Sequence, residues 1–133
     1  MKQNTILWML RILAALIMLQ SLFFKFSASE ESVYIFSKLG IEPWGRIFTG
    51  VVELIASILI LMPKTVVYGA LVAFGVMSGA VFSHLTSLGI VVKNDGGQLF
   101  VYALLVMISS AILVVYYRKQ LPAFVTRLVF KNS

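Results

Sequence analysis

Glu53 carries the sharpest chemical question in this sequence, because it interrupts an apolar run at the depth where a carboxylate is least welcome. It lies nine residues into the run that begins at Trp44, about 14 Å along a helix axis at 1.5 Å per residue. An ionisable group there is costly and marks a functional position by default. Arg46, Gly50, Glu53 and Ser57 recur at spacings of four, three and four, so a helix puts them on one face. Turned inward, that face hides the carboxylate from lipid. A cation within reach favours the charged form, and burial alone favours the neutral acid. Arg46, Lys25 and Arg11 are the candidate partners. Arg11, near a span end, is expected to snorkel to the interface. Such a set can take up a proton or hold a polar ligand, or it can be an ion pair that fixes helix packing.

Further polar residues cluster around the same depth. Gln20 and Ser21 sit about a turn before Lys25, His84 ends a third apolar run, and Gln98 and Tyr102 open a fourth. If four helices carry them to one level, Gln20, Lys25, Arg46, Glu53, His84, Gln98 and Tyr102 line a ligand pocket with Glu53 at its floor, a common location in helical bundles. A lone histidine at a helix end serves equally as a cap or an interface residue.

The elements that must hold these residues follow from four apolar stretches, at about 6–26, 44–62, 66–88 and 99–117. Each is close to the roughly 20 residues that a helix needs to cross a bilayer. Length and the lack of strict alternation favour helices over strands. The expected architecture is therefore an all-α integral membrane protein, a single domain built on a four-helix bundle. Pro63-Lys64-Thr65 reads as a tight turn and Asp95-Gly96-Gly97 as another, with Asp95 a candidate cap. Glu30 to Gly40 reads as a short amphipathic helix capped by Ser29. Beyond Pro122, the face of Phe124, Val125, Leu128 and Val129 suggests a C-terminal interfacial helix. The first run carries Arg11 and Lys25 and is read as a retained span rather than a cleaved leader.

Composition agrees. Of 133 residues, 60% are hydrophobic and 12% charged, about half the charge of a soluble domain, and the mean hydropathy is +0.98. The net charge of +6 is dispersed over span ends, which argues against nucleic acid. Seven of the lysines and arginines fall on the side of the termini and four on the other. The positive-inside rule then puts both termini in the cytoplasm. No cysteine and one histidine exclude thiol chemistry and a multi-histidine metal site within one chain. No catalytic constellation is present, so activity would belong to a complex in which this chain is a subunit. Gly75, Gly79 and Ser83 form a small-residue stripe that suits close packing within the monomer or a homo-oligomer. Trp8, Trp44 and most tyrosines read as interfacial belts, and Trp44 could also roof the pocket.

The chain resembles the DoxX family of small four-span bacterial membrane proteins. The resemblance runs from about Leu10 to Lys119. It rests on Leu10-Arg11-Ile12, Phe23-Phe24-Lys25-Phe26, Gly45-Arg46, Gly50-Val51-Val52-Glu53-Leu54, Gly69-Ala70 and Ser83-His84-Leu85. It implies a bundle in the bacterial inner membrane. Some members are associated with quinone-linked sulfur oxidation or with oxidoreductase complexes that counter oxidative stress. Distant animal relatives act as assembly chaperones for membrane receptors. The family positions map onto Lys25, Arg46, Glu53 and His84. Two functions are therefore expected to compete. In one, the chain binds a lipophilic molecule such as a quinone, with Arg46, Gln20 or His84 on a carbonyl. In the other, it is a scaffold or chaperone for other membrane or exported proteins, with a structural Arg46/Glu53 core.

Overall fold

The computed structural model describes residues 2–92 and 96–122. The Asp95 cap and the C-terminal interfacial helix of the sequence reading lie outside them. Five helices follow in order: α1 (Lys2–Phe26), α2 (Glu30–Lys38), α3 (Trp44–Leu61), α4 (Val66–Ser83) and α5 (Gln98–Tyr116). A π-helical turn, His84–Leu88, extends α4, and a 3-10 turn, Arg118–Gln120, follows α5. Stretches 4–26, 44–61, 66–88 and 98–116 are long and apolar enough to cross a membrane, within a residue or two of the expected spans. Large apolar side chains such as Met9, Phe23, Phe48, Phe82 and Ile108 are exposed around the bundle. That exterior suits lipid rather than water.

The four long helices form a ring. α1 packs on α3 and α5, and α4 packs on the same two helices, which puts α1 diagonally opposite α4. The two ends of the bundle differ. At one end, Arg11 of α1 meets the last carbonyls of α3 and the ring of Tyr117 after α5. We call this the Arg11 end. At the other lie Lys25, α2, the His84 turn and the start of α5, here called the α2 end. The core of Ala14, Met18, Ala56, Ile60, Val66, Ala70, Ala73, Val106 and Leu113 is completely buried.

Helix boundaries follow from local chemistry. Ser29 Oγ accepts from Ser32 N at 3.2 Å, which caps α2 as its sequence suggests. Glu30 and Glu31 occupy the first turn of α2 and Lys38 the last, matching the helix dipole. At the end of α5, Arg118 Nη1 donates to the Val115 carbonyl at 2.7 Å. The turn between α3 and α4 is clasped by Gln120. Its Nε2 donates to the Pro63 carbonyl at 2.7 Å, and its Oε1 accepts from Val67 N at 3.0 Å. It thereby pairs one of the amides that the first turn of a helix leaves open.

α3 and α4 meet closely at the Arg11 end, where Ala56, Ile60 and Ala73 are fully buried, whereas their facing residues toward the α2 end, Thr49, Val52, Val76 and Ala80, are only partly buried. A Cβ on Gly69 would sit 2.7 Å from both the Ala56 carbonyl oxygen and the Ile60 nitrogen, so only glycine permits this approach. A Cβ on Gly75 or Gly79 would have nothing within 4 Å. Among the described residues these two glycines therefore make no close packing contact, contrary to one expectation drawn from their spacing. The reason is helical phase: six and ten residues beyond Gly69, at 3.6 residues per turn, Gly75 and Gly79 point away from the face that meets α3.

Candidate functional site

The candidate site begins with the stripe on α3. Arg46, Gly50, Glu53 and Ser57 are all buried, as their spacing requires. Ser57 Oγ donates to the Glu53 carbonyl at 2.8 Å, so it serves its own helix and leaves the carboxylate to other partners.

Those partners come from α1. Lys25 Nζ lies 2.9 Å from Glu53 Oε1. Ser21 Oγ lies 2.8 Å from Glu53 Oε2 and 2.8 Å from the Met18 carbonyl, so its single proton serves one of these acceptors at a time. Lys25 Nζ also donates to Ser21 Oγ at 3.2 Å. Residues 21 and 25 are one helical turn apart and share a face, which lets α1 present a hydroxyl and an ammonium together. Glu53 is 2% exposed and Lys25 16%. Among the described residues, no buried side-chain nitrogen or oxygen lacks a hydrogen-bond partner.

Arg46 is a different case. Its Nε donates to Glu42 Oε1 at 2.9 Å and Oε2 at 3.1 Å, one turn earlier. Its Nη1 donates to the Lys25 carbonyl. The expected Arg46–Glu53 pair does not form, because seven residues put the two groups about 10 Å apart along the axis. Arg46 instead ties the α1 end to the start of α3. Arg11 does not snorkel either. It is 2% exposed, donating from Nε to the Ile60 carbonyl at 2.8 Å and from Nη2 to the Leu61 carbonyl at 3.0 Å. The indole of Trp8 stacks 3.7 Å from its guanidinium carbon. The last turn of a helix leaves carbonyls open, and Arg11 fills two of those of α3.

Above Glu53 the bundle is hollow. A cavity of about 700 Å³ falls within the size range of small-molecule sites. It brings together Gln20, Lys25, Glu53, His84, Gln98 and Tyr102, six of the residues singled out from sequence. Arg46 does not line it, nor does Trp44, which is exposed. Gln98 Nε2 donates to Tyr102 Oη at 2.9 Å. His84 is buried, its ring edge-on to Phe100 at 5.6 Å. His84 Nδ1 lies 2.9 Å from the Gly89 carbonyl. A carbonyl only accepts, so Nδ1 carries a proton, and Nε2 of the neutral ring is an acceptor.

Sequence reading missed the contribution of α2, whose Glu31, Ser32, Ile35 and Phe36 line the cavity. The signal was present in its amphipathic pattern, but a helix of nine residues gives no hint of which bundle face it covers. It also missed Thr49, Gly75 and Gly79 as lining residues. No group of three or more metal-ligating residues occurs among the described residues.

Chemically, the arrangement offers a closed carboxylate–ammonium–hydroxyl cluster at the base of an otherwise mostly apolar space. A third ammonium proton of Lys25 remains beyond the two contacts above, and the amide and phenol of Gln98 and Tyr102 stand on the α5 side. No curated protein and no solved structure gives a significant match to the sequence. A family model, described as the DoxX-like family, matches residues 9–112. That interval contains α1 from its third turn, all of α2, α3 and α4, and most of α5, and this multi-pass membrane protein belongs to the DoxX-like family.

Proposed function

We propose that this protein binds one lipophilic molecule with a polar head, of the quinone class, in the cavity above Glu53. In this reading it is a non-catalytic subunit supporting a membrane oxidoreductase or stress-response complex. The observation that carries the reading is the cavity itself. Four helices and α2 enclose a mostly apolar space in which polar side chains from α1, α3, the His84 turn and α5 converge. A quinone needs donors for its carbonyls and an apolar slot for its ring and chain. Lys25 and Tyr102 supply donors, Gln20 and Gln98 flank them, and Ile17, Phe36 and Leu99 supply apolar walls. Bound quinone would contribute the two-electron chemistry. The residues of this chain would hold and orient the head and keep a proton-exchanging carboxylate, Glu53, behind Lys25.

The reading includes a topology. The chain sits in the bacterial inner membrane with both termini cytoplasmic, so the cavity lies in the outer half and α2 on the outer surface. The excess of lysine and arginine on the terminal side supports it.

Titration of the purified protein with decylubiquinone tests the binding. Saturable binding of one equivalent, weakened about tenfold or more by Lys25→Met/Glu53→Leu in a folded protein, is expected. Absence of saturable binding by the wild type would refute it.

A second reading is favoured by the completeness of the Lys25–Glu53–Ser21 cluster, which leaves no buried polar side-chain atom unpaired among the described residues. There the cluster only locks α1 to α3, and the protein is a scaffold or assembly chaperone for other membrane proteins. The same double variant would then leave ligand binding unchanged and alter only stability.

A further inference from the structure

We infer that the cavity is loaded sideways from the bilayer, through the gap between α3 and α4, by a single-chain amphiphile whose head donates a hydrogen bond to His84 Nε2. This rests on the reading of the cavity as a ligand site and adds the route and the chemistry of the head.

The gap lies where the cavity lining reaches exposed positions of the two helices, Phe48 on α3 and Gly75 and Gly79 on α4. The helices touch backbone to backbone at Gly69. From there toward the α2 end, α4 presents Gly75 and Gly79 to open space, and both line the cavity. Across from them α3 presents Thr49 and Val52, which line it too. Phe48 flanks the gap and is 65% exposed. At these two positions α4 adds no side chain to the gap, because both are glycines. The wall of the gap offers Val52, two glycines and the single hydroxyl of Thr49, whereas the α1–α5 side of the cavity carries Gln20, Lys25, Gln98 and Tyr102. A molecule lying across both therefore needs an apolar chain at one end and a hydrogen-bonding head at the other. α2 crosses the remaining, water-facing side with Ser32, Ile35 and Phe36 on the cavity.

The head group is specified by His84. It is 5% exposed and lines the cavity. Nδ1 is committed to the Gly89 carbonyl, and Nε2, an atom not fully enclosed by protein although the residue is buried, makes no hydrogen bond within the chain among the described residues. An acceptor in this position selects a hydroxyl, as in a quinol, over a group that only accepts. Lys25 complements it as a donor.

The chain contains no cysteine, so Gly79→Cys gives a unique thiol at a position with room for it. In phosphatidylcholine nanodiscs, benzyl methanethiosulfonate on this thiol acts as a reversible plug. Uptake of decylubiquinol should slow about tenfold or more when plugged and recover with dithiothreitol, while the quinol lacking the decyl chain changes less than about twofold. His84→Leu should abolish any preference for decylubiquinol over decylubiquinone, which a lost buried hydrogen bond makes about tenfold. Equal slowing of both quinols, no slowing, or a preference unchanged in His84→Leu would overturn the inference. So would quantitative disulfide-linked dimers of Gly79→Cys, which would mean that a second copy covers the gap. A ligand-free measurement separates this inference from the reading beneath it. Bimane on Gly75→Cys should be quenched by lipids brominated in mid-chain and not by iodide. Quenching by iodide instead would refute the lateral opening even if quinol binds. If bilayer quenching is seen and no quinol binds, the opening stands and the quinone reading falls.

Discussion

Lys25 Nζ stands 2.9 Å from Glu53 Oε1, and this contact joins α1 to α3 at the base of the cavity. Both groups are largely withdrawn from solvent, so each depends on the other for compensation. Removing one partner should therefore be worse than removing both. Lys25→Met or Glu53→Leu alone is expected to destabilise the protein by about 3–5 kcal/mol. The double variant is expected to stay within about 1–2 kcal/mol of wild type. Thermal unfolding in mild detergent, run as a double-mutant cycle, measures the coupling.

Arg11 provides a second contrast. Its two hydrogen bonds close the end of α3, and Trp8 covers its guanidinium. Arg11→Leu should cost about 2–4 kcal/mol by stranding the Ile60 and Leu61 carbonyls. Arg11→Lys should recover only part of this, because an ammonium cannot reproduce the planar fork. The same thermal unfolding measurement orders the three proteins.

The glycines of α4 should respond in opposite directions. Gly69→Ala drives a Cβ to 2.7 Å from α3 backbone atoms and should destabilise by about 1–3 kcal/mol through forced separation of the helices. Gly75→Ala meets nothing within 4 Å and should be neutral or stabilise by up to about 1 kcal/mol through helix propensity. If both substitutions were tolerated equally, the tight crossing at Gly69 would be wrong.

These contrasts show how unevenly the molecule could be read from its sequence. The spans were legible because a bilayer demands runs of fixed length, and the polar face of α3 was legible because helix geometry fixes who shares a side. Residues 20, 25, 53, 84, 98 and 102 were picked out because polar groups in an apolar run stand out. Partner choice was not legible. Arg46 and Lys25 were both named for Glu53; the rise of α3 alone keeps Arg46 too far and leaves it to Glu42 one turn away, but only the relative height of α1 and α3 brings Lys25 to the carboxylate. Arg11 resembled a residue reaching for the interface, because nothing local announces that α3 ends beside it. Gly69, Gly75 and Gly79 look alike in sequence. The face of α4 that meets α3 makes one a contact and turns the other two toward open space.

The proposed topology makes its own prediction. Single cysteines replacing Lys64 and Gly96 lie at opposite ends of the bundle, in the α3–α4 turn and just before α5. In intact bacterial cells a membrane-impermeant maleimide should label Gly96→Cys and spare Lys64→Cys until the cells are permeabilised. The reverse pattern would invert the orientation, and equal labelling would break the four-span arrangement.

Native mass spectrometry of the protein extracted in mild detergent decides whether the cavity above Glu53 holds a lipophilic molecule. One stoichiometric adduct of quinone-class mass is expected. It should survive collisional removal of detergent and disappear in Ala80→Trp, which fills the cavity, at wild-type thermal stability. Only exchangeable phospholipid on the wild type, or an adduct that persists in folded Ala80→Trp, would contradict it.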